Sequence, residues 1–335
     1  IKQNLAWTDT DRRFVFLPDA DGSDFYSDST YKGNAAYSDT QLTILDTTLG
    51  YTFERNFYEL ETLDESDEVD QYENDLYLEK EITFGRLNTL LGIRENLHEQ
   101  SKHRTVYDIS GVYDIGYETK LRSHFGTGYR APSLFEFHGA ILSSLGRFEL
   151  GNENLSPERS KSFDFGLEKR LQKNISVGLT YFESDITNQI TFHGGTYQNI
   201  EGVYNTHGIE SYYEHFMFGS TILRLSYTKT LGSTLIDVAG NEAGAALRVQ
   251  KPKWNASIRG NYKSEHNINV FNMDTFTLNR IREDENFTLD VTAGYWVNPS
   301  TEIYTRVENL LSNNYSDGGY RQPGTRVYGG VRVLL

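Results

Sequence analysis

The chain contains no cysteine among its 335 residues. That suits a protein crossing an oxidising periplasm without stray disulfides, but it suits a reducing cytosol equally, so it decides nothing alone. No stretch approaches the roughly 18 apolar residues of a membrane-spanning helix, and mean hydropathy is −0.56. A helical inner-membrane protein is excluded. Positive charge is scarce: 32 Lys and Arg against 47 Asp and Glu leave a formal charge of −15. Phosphate backbones require a basic stripe, so this balance argues against a nucleic-acid partner.

What is present is alternation. Ile175, Val177, Leu179 and Tyr181 share one face of a strand, and Asn174, Ser176, Gly178 and Thr180 the other, because successive strand side chains point to opposite sides. Phe287, Leu289, Val291, Ala293 and Tyr295 repeat the pattern against Thr288, Asp290, Thr292 and Gly294. About sixteen such segments are expected, near 1–11, 32–43, 48–58, 69–80, 85–97, 104–115, 118–128, 161–171, 174–183, 202–215, 221–230, 252–263, 268–278, 286–296, 300–309 and 324–334. Alternation alone fits a soluble sandwich as well as a lipid-facing barrel. The connections separate the two. Tight hinges such as Gln172-Lys173 and Asn298-Pro299 alternate with long stretches at 12–31, 129–160 and 231–251, the loop asymmetry of an outer-membrane barrel. The fold expected is all-β, an antiparallel transmembrane β-barrel occupying residues 1–335. The 23 Tyr and 19 Phe suit aromatic girdles at the membrane interfaces, although strands favour aromatics anyway.

Acid gathers in the connections, with Glu59, Glu61, Asp64, Glu65, Asp67, Glu68 and Asp70 in one and Asp19, Asp21, Asp24 and Asp28 in another. Such runs are ordinarily solvated loops. The alternative is a structural Ca2+ held by Asp19, Asp21 and Asp24 around Gly22, although the remainder of an EF-hand loop is missing. No other cofactor is expected. The eight histidines fall in no nucleophile or metal motif, so an enzyme is not expected.

The most specific text lies in 118–169. Gly126-Thr127-Gly128-Tyr129-Arg130-Ala131-Pro132-Ser133-Leu134-Phe135-Glu136 ends one strand, and Gly151-Asn152-Glu153-Asn154-Leu155-Ser156-Pro157-Glu158 begins the next. Neither proline can donate to a ladder, so the chain leaves the sheet at Pro132 and returns after Pro157. A fixed Arg130 is costly to leave unpaired in a partly dry wall and calls for carboxylate partners. Further on come Tyr197-Gln198-Asn199-Ile200-Glu201-Gly202-Val203, Gly208-Ile209-Glu210, Val307-Glu308-Asn309-Leu310 through Tyr315, and Pro323-Gly324-Thr325-Arg326. Taken in order, these segments resemble the C-terminal barrel of a TonB-dependent outer-membrane receptor, most closely the cobalamin-receptor branch.

The resemblance implies a bacterial outer-membrane receptor that takes a scarce nutrient from its outer loops into the periplasm. Energy would come through TonB acting on an N-terminal plug. It also implies a 22-strand barrel, of which about sixteen strands and no plug are recognised here. The count by itself fits a 16-strand diffusion porin, a rival disfavoured by the ordered motifs and by the lack of an Arg cluster facing a constriction loop. Cobalamin is the first ligand expected, with haem or a ferric siderophore as alternatives. Loops near 12–31, 58–70, 129–160 and 231–251 would carry the binding surface. Candidate contacts are Tyr129, Arg130, Phe135, Phe137, His138, Arg147, Phe148 and Asn152; His138 keeps haem open, since the resemblance implies that haem receptors place an iron-ligating His in this loop, although a lone imidazole is more often an ordinary polar group than an axial ligand. Partners are TonB, outer-membrane lipid and the small-molecule ligand.

Overall fold

A computed structural model describes residues 1–16, 27–61, 66–101, 103–143, 146–218, 220–272 and 277–334. The Asp19, Asp21 and Asp24 set lies outside them. Sixteen strands form one antiparallel wall in chain order. The first seven are β1 (Lys2–Phe16), β2 (Ser27–Ile44), β3 (Thr47–Glu61), β4 (Ser66–Phe84), β5 (Leu87–His98), β6 (Arg104–Gly116) and β7 (Thr119–Arg130). A helical turn α1 (Leu134–His138) and a hairpin of β8 (Ala140–Ser143) and β9 (Gly146–Glu149) follow. The wall resumes with β10 (Glu158–Gln172) and β11 (Ile175–Thr187), and a hairpin of β12 (Ile190–His193) and β13 (Thr196–Asn199) stands off it. Next come β14 (Val203–Met217), β15 (Thr221–Ser233), β16 (Asn241–Gln250) and β17 (Trp254–Lys263), then the outlying hairpin β18 (His266–Asn272) and β19 (Thr277–Glu283). β20 (Asn286–Asn298) and β21 (Thr301–Glu308) return to the wall, the short pair β22 (Ser316–Asp317) and β23 (Tyr320–Arg321) leaves it, and β24 (Arg326–Val333) ends it.

The connections sort by length as expected. Two or three residues join β2 to β3, β4 to β5, β6 to β7, β10 to β11, β14 to β15, β16 to β17 and β20 to β21 at one rim. Tyr117 and Glu118 both take positive φ, 52° and 57°, the geometry of a hairpin turn that follows strand twist. Every hairpin that stands off the wall lies at the other rim, which by this asymmetry is the extracellular one.

The two faces of the wall differ in kind. On β10, Phe163, Phe165 and Leu167 are 39%, 46% and 42% exposed, while Asp164, Gly166 and Glu168 face the opposite way. Their neighbours Phe125 on β7 and Leu179 on β11 keep the same side in register. So much apolar side chain on an outer surface belongs against hydrocarbon. The inner face is polar and laced with cross-strand charge pairs. Arg122 Nη2 lies 2.8 Å from Glu168 and Arg332 Nη1 2.8 Å from Glu302, and Arg94 pairs with Asp75. A soluble sandwich would have buried the apolar faces against each other.

Four expectations are corrected. About half of the supposed loop 231–251 is wall strand β16, whose outward Ala243, Ala245 and Leu247 carry too little apolar contrast to announce a strand. The supposed wall strand 268–278 is instead the outlying hairpin β18–β19. Its strands have seven residues each, short of the roughly nine to eleven that cross a bilayer. Ile268 is 2% exposed, so its alternation is satisfied by packing inside the loop layer. The supposed loop 58–70 is mostly strand, since β3 runs to Glu61 and β4 starts at Ser66, and the two ends of the supposed loop 12–31 are strand as well, β1 running to Phe16 and β2 starting at Ser27. Antiparallel pairing simply continues above the membrane, where polar residues no longer alternate with apolar ones.

Candidate functional site

The loop between β7 and β10 is a small folded unit. Pro132, fully buried, turns the chain out of the ladder. Ser133 then caps α1, its hydroxyl accepting from the Glu136 N–H at 3.2 Å while the Glu136 carboxylate accepts from the Ser133 N–H at 2.7 Å. This reciprocal capping box satisfies two N–H groups that a helix start otherwise leaves open.

Two apolar clusters hold the unit down. Leu134 and Ala140 pack with Tyr58 from β3, flanked by Val69 and Phe135. Phe137 packs with Leu155 and with Ile190 from β12, flanked by Tyr197. Phe135 stands edge-on to both Tyr58 and Tyr197, with ring centroids 6.3 and 6.1 Å apart. Burying each large side chain contributes about 1.5–3 kcal/mol, which fixes the loop on β3 and on the neighbouring hairpin. Polar ties repeat the connection. Asn152 Nδ2 donates to Tyr197 O at 2.9 Å, and Asn199 accepts from Ser156 N and donates to Ser156 O at 2.7 Å each. Gly151 is required there, because a Cβ would meet the Phe137 carbonyl oxygen at 2.4 Å.

Arg130 buckles the unit to the wall. Its Nε donates to Glu158 Oε2 at 2.8 Å, and Nη1 and Nη2 donate to the two Glu136 oxygens at 2.9 and 3.2 Å. The second Glu158 oxygen accepts from the Ile190 N–H at 2.7 Å. One guanidinium thus joins the end of β7, helix α1, the start of β10 and the β12 hairpin. Glu158 sits five residues above Phe163, outside the hydrocarbon band. Burial pushes its carboxyl up, but the Arg130 and Ile190 donors outweigh that and hold it below the usual glutamate range. Tyr197 is shifted upward, first by burial and then by the nearby Glu136 charge.

A second knot forms at the motif 307–315. Asn309, 5% exposed, donates to Asn313 O and Pro323 O at 2.9 and 3.3 Å and accepts from Asn313 N at 3.1 Å. Its φ is +48°, where asparagine is tolerated and alanine is strained. Asn309→Ala is expected to cost about 1–2 kcal/mol, read as a lower urea midpoint of the refolded protein. Gly208 in the 208–210 motif has an equally steric reason. A Cβ there would lie 2.4 Å from the Lys229 carbonyl, at a bulge between His207 and Gly208.

The candidate contacts therefore separate. Phe135, Phe137 and Asn152 lie within the loop unit, with Phe137 only 4% exposed, and the half-exposed Arg130 clamps that unit to the wall. His138 lies at the loop's edge, Nε2 3.4 Å from Gln100 Oε1 and Nδ1 3.4 Å from Glu153 Oε1. Arg147 pairs with Glu149 at 2.5 Å beside the 43%-exposed Phe148. Tyr129 belongs to the outer face of the wall, opposite Arg159. Missed by the sequence reading are Tyr58, Glu136, Ile190 and Tyr197. Glu136 carried a local signal in the Ser-x-x-Glu spacing, and Tyr197 opens one of the quoted motifs.

Beneath this layer the inner wall holds a polar hollow of about 360 Å³ lined by Asp39, Gln41, Tyr77, Glu79, Arg94 and Asp108 among others. Among the described residues, no group of His, Asp and Glu is arranged to hold a metal ion.

The family described as "TonB dependent receptor-like, beta-barrel" matches residues 1–329. The chain belongs to this family of outer-membrane β-barrels. TonB-dependent receptors are transport proteins of the outer membrane, not enzymes. The vitamin B12 transporter BtuB of Vibrio cholerae is 24% identical over 250 residues, covering 70% of this chain and 38% of that protein. BtuB of Vibrio vulnificus is 20% identical over 269 residues, 76% of this chain and 40% of that one. The chain thus spans about two fifths of the length of these relatives. Among solved structures, the ferric enterobactin receptor PfeA of Pseudomonas aeruginosa superposes with a TM-score of 0.72 at 14% identity, covering 99% of this chain and 58% of that one. The siderophore receptor PirA of Acinetobacter baumannii gives 0.72 at 13%, with 99% and 59% covered. Family membership decides against the porin reading, in spite of the strand count.

Proposed function

We propose that this barrel belongs to an active importer that captures cobalamin in its outer loops and passes it to the periplasm, driven by TonB through a plug domain. The likeness to the Vibrio vitamin B12 transporters, along 70% of this chain, is the observation that carries the ligand. The likeness to siderophore receptors lies at 13–14% identity and speaks for architecture alone. The loop unit supports capture of a bulky ligand because it is pre-ordered: binding then costs little side-chain ordering. The exposed group left for contact is Phe148.

The test is equilibrium binding of cyanocobalamin, haemin and ferric enterobactin to the full-length receptor in detergent. Cobalamin is expected to bind at least about a hundredfold more tightly than the other two, a difference near 2.7 kcal/mol. His138→Ala should leave cobalamin binding unchanged. Tight haemin binding that disappears in His138→Ala would replace cobalamin with haem as the ligand.

A further inference from the structure

On the outer face, the ladder between β6 and β7 stops early. Its last pair toward the extracellular rim is Asp108 with Gly126, while β7 stays paired to β10 as far as Arg130. Above that point the Thr127 hydroxyl stands in for the ladder, accepting from the Tyr107 N–H at 2.9 Å. The two strands part, and a hollow of about 360 Å³ opens between them and runs across β10 and β11. Its outward lining includes Arg159 and Lys161 from β10, with Arg104 at the cleft. Tyr107 and Tyr129 also line it.

Three properties point to an occupant. The first is height. Lys161 and Arg159 continue the outward row of Phe163, Phe165 and Leu167, so the hollow sits directly above the hydrocarbon belt, at headgroup level, where tyrosines concentrate. The second is charge. Among the described residues neither Arg159 nor Lys161 makes an ion pair or side-chain hydrogen bond, and both are exposed. Against Arg104, Arg159 and Lys161 the lining holds one carboxylate, Asp185, one oxygen of which accepts from Asn205 Nδ2 at 2.7 Å. The third is unmet polarity. Arg104 Nε is buried and forms no hydrogen bond among the described residues, a cost that an acceptor oxygen would remove.

We propose that this cleft is a docking site for a phosphorylated lipid headgroup of the outer leaflet. The phosphate oxygens would take the donors of Arg159, Lys161 and Arg104, and the acyl chains would descend over Phe163 and Phe165. No water-soluble anion would gain that second contact. A lipid seated here would close the gap in the wall that the shortened β6–β7 ladder leaves.

The test uses the full-length receptor in phosphatidylcholine nanodiscs doped with a phosphorylated glucosamine glycolipid, or with its dephosphorylated form, and counts retained lipid by native mass spectrometry. The phosphorylated form is expected to be retained and the dephosphorylated form lost. Removing two surface charges in R159Q/K161Q should weaken retention about thirtyfold. K173Q/R280Q, the same charge change at two exposed positions away from the cleft, should leave retention unchanged. Equal retention by R159Q/K161Q, equal retention of the dephosphorylated lipid, or displacement by equimolar inorganic phosphate would each overturn the proposal.

Discussion

Replacing Arg130 with methionine is expected to release the loop between β7 and β10 from the wall while the barrel itself stays folded. The guanidinium pairs with both Glu136 and Glu158, whose side chains are 14% and 17% exposed. Methionine keeps the aliphatic bulk but leaves two nearly buried carboxylates facing each other. Breaking a fully buried pair costs about 3–5 kcal/mol, and with Arg130 half exposed the lower end, about 3 kcal/mol, is expected. That corresponds to a rise of roughly 150-fold in the open population, read as faster limited proteolysis within 139–157 when cleavage is slow against reclosing. Unchanged proteolysis would show that the two apolar clusters hold the loop without the buckle.

The same buckle has a pH dependence of fixed sign. Glu158 is held below its ordinary value of 4.5, so its contribution is complete above that value and is lost as pH falls through the lowered one. Loop protection should therefore be flat from neutral pH to about 5 and should fall below 4.5. In Arg130→Met this acid-dependent loss should shrink, because only the Ile190 N–H then remains to lower Glu158 against its burial.

These outcomes bear on what was legible in the sequence. Barrel class, loop asymmetry and family came through because alternation and motif order are local properties of the chain. Pro132, Arg130 and Asn309 could be singled out because each makes a backbone or charge demand visible in one dimension. β16 was hidden, since Ala243 and Ala245 face lipid with almost no hydrophobic contrast. β18 was misplaced for the opposite reason, its Ile268 being buried under other loops. Tyr58 and Ile190 were out of reach because their partners lie far away in sequence, Leu134 and Phe137 respectively. Phe135 and Phe137 looked like ligand contacts because aromatic residues in a polar loop need a use. Their use in this fold is to be the loop's own core.

A second lock, across the loop layer, gives the other large effect. Glu283 at the end of β19 is 4% exposed, and its Oε1 accepts from the Gly319 N–H at 2.8 Å. Its Oε2 lies 3.6 Å from Nε2 of His266, which is itself 3.1 Å from Asp237 Oδ1. The other ring nitrogen faces Ser264 O at 3.2 Å. Asp237 takes φ +70°, a conformation that a short polar side chain tolerates best. Three separate connections, 234–240, 264–285 and 309–325, meet through these few atoms. Glu283→Ala removes the carboxylate from a buried imidazole and strips Gly319 of its acceptor, at a cost of about 3 kcal/mol. Glu283→Gln keeps the Gly319 bond and should cost about half as much. Hydrogen exchange reads the difference directly: the Gly319 amide and the Asp237 amide, which donates to Asn267 O at 2.8 Å, should lose protection together in Glu283→Ala. Gly319 should stay protected in Glu283→Gln. Independent behaviour of the two amides in Glu283→Ala would mean that the three loops are held separately, and that the outer layer opens one loop at a time.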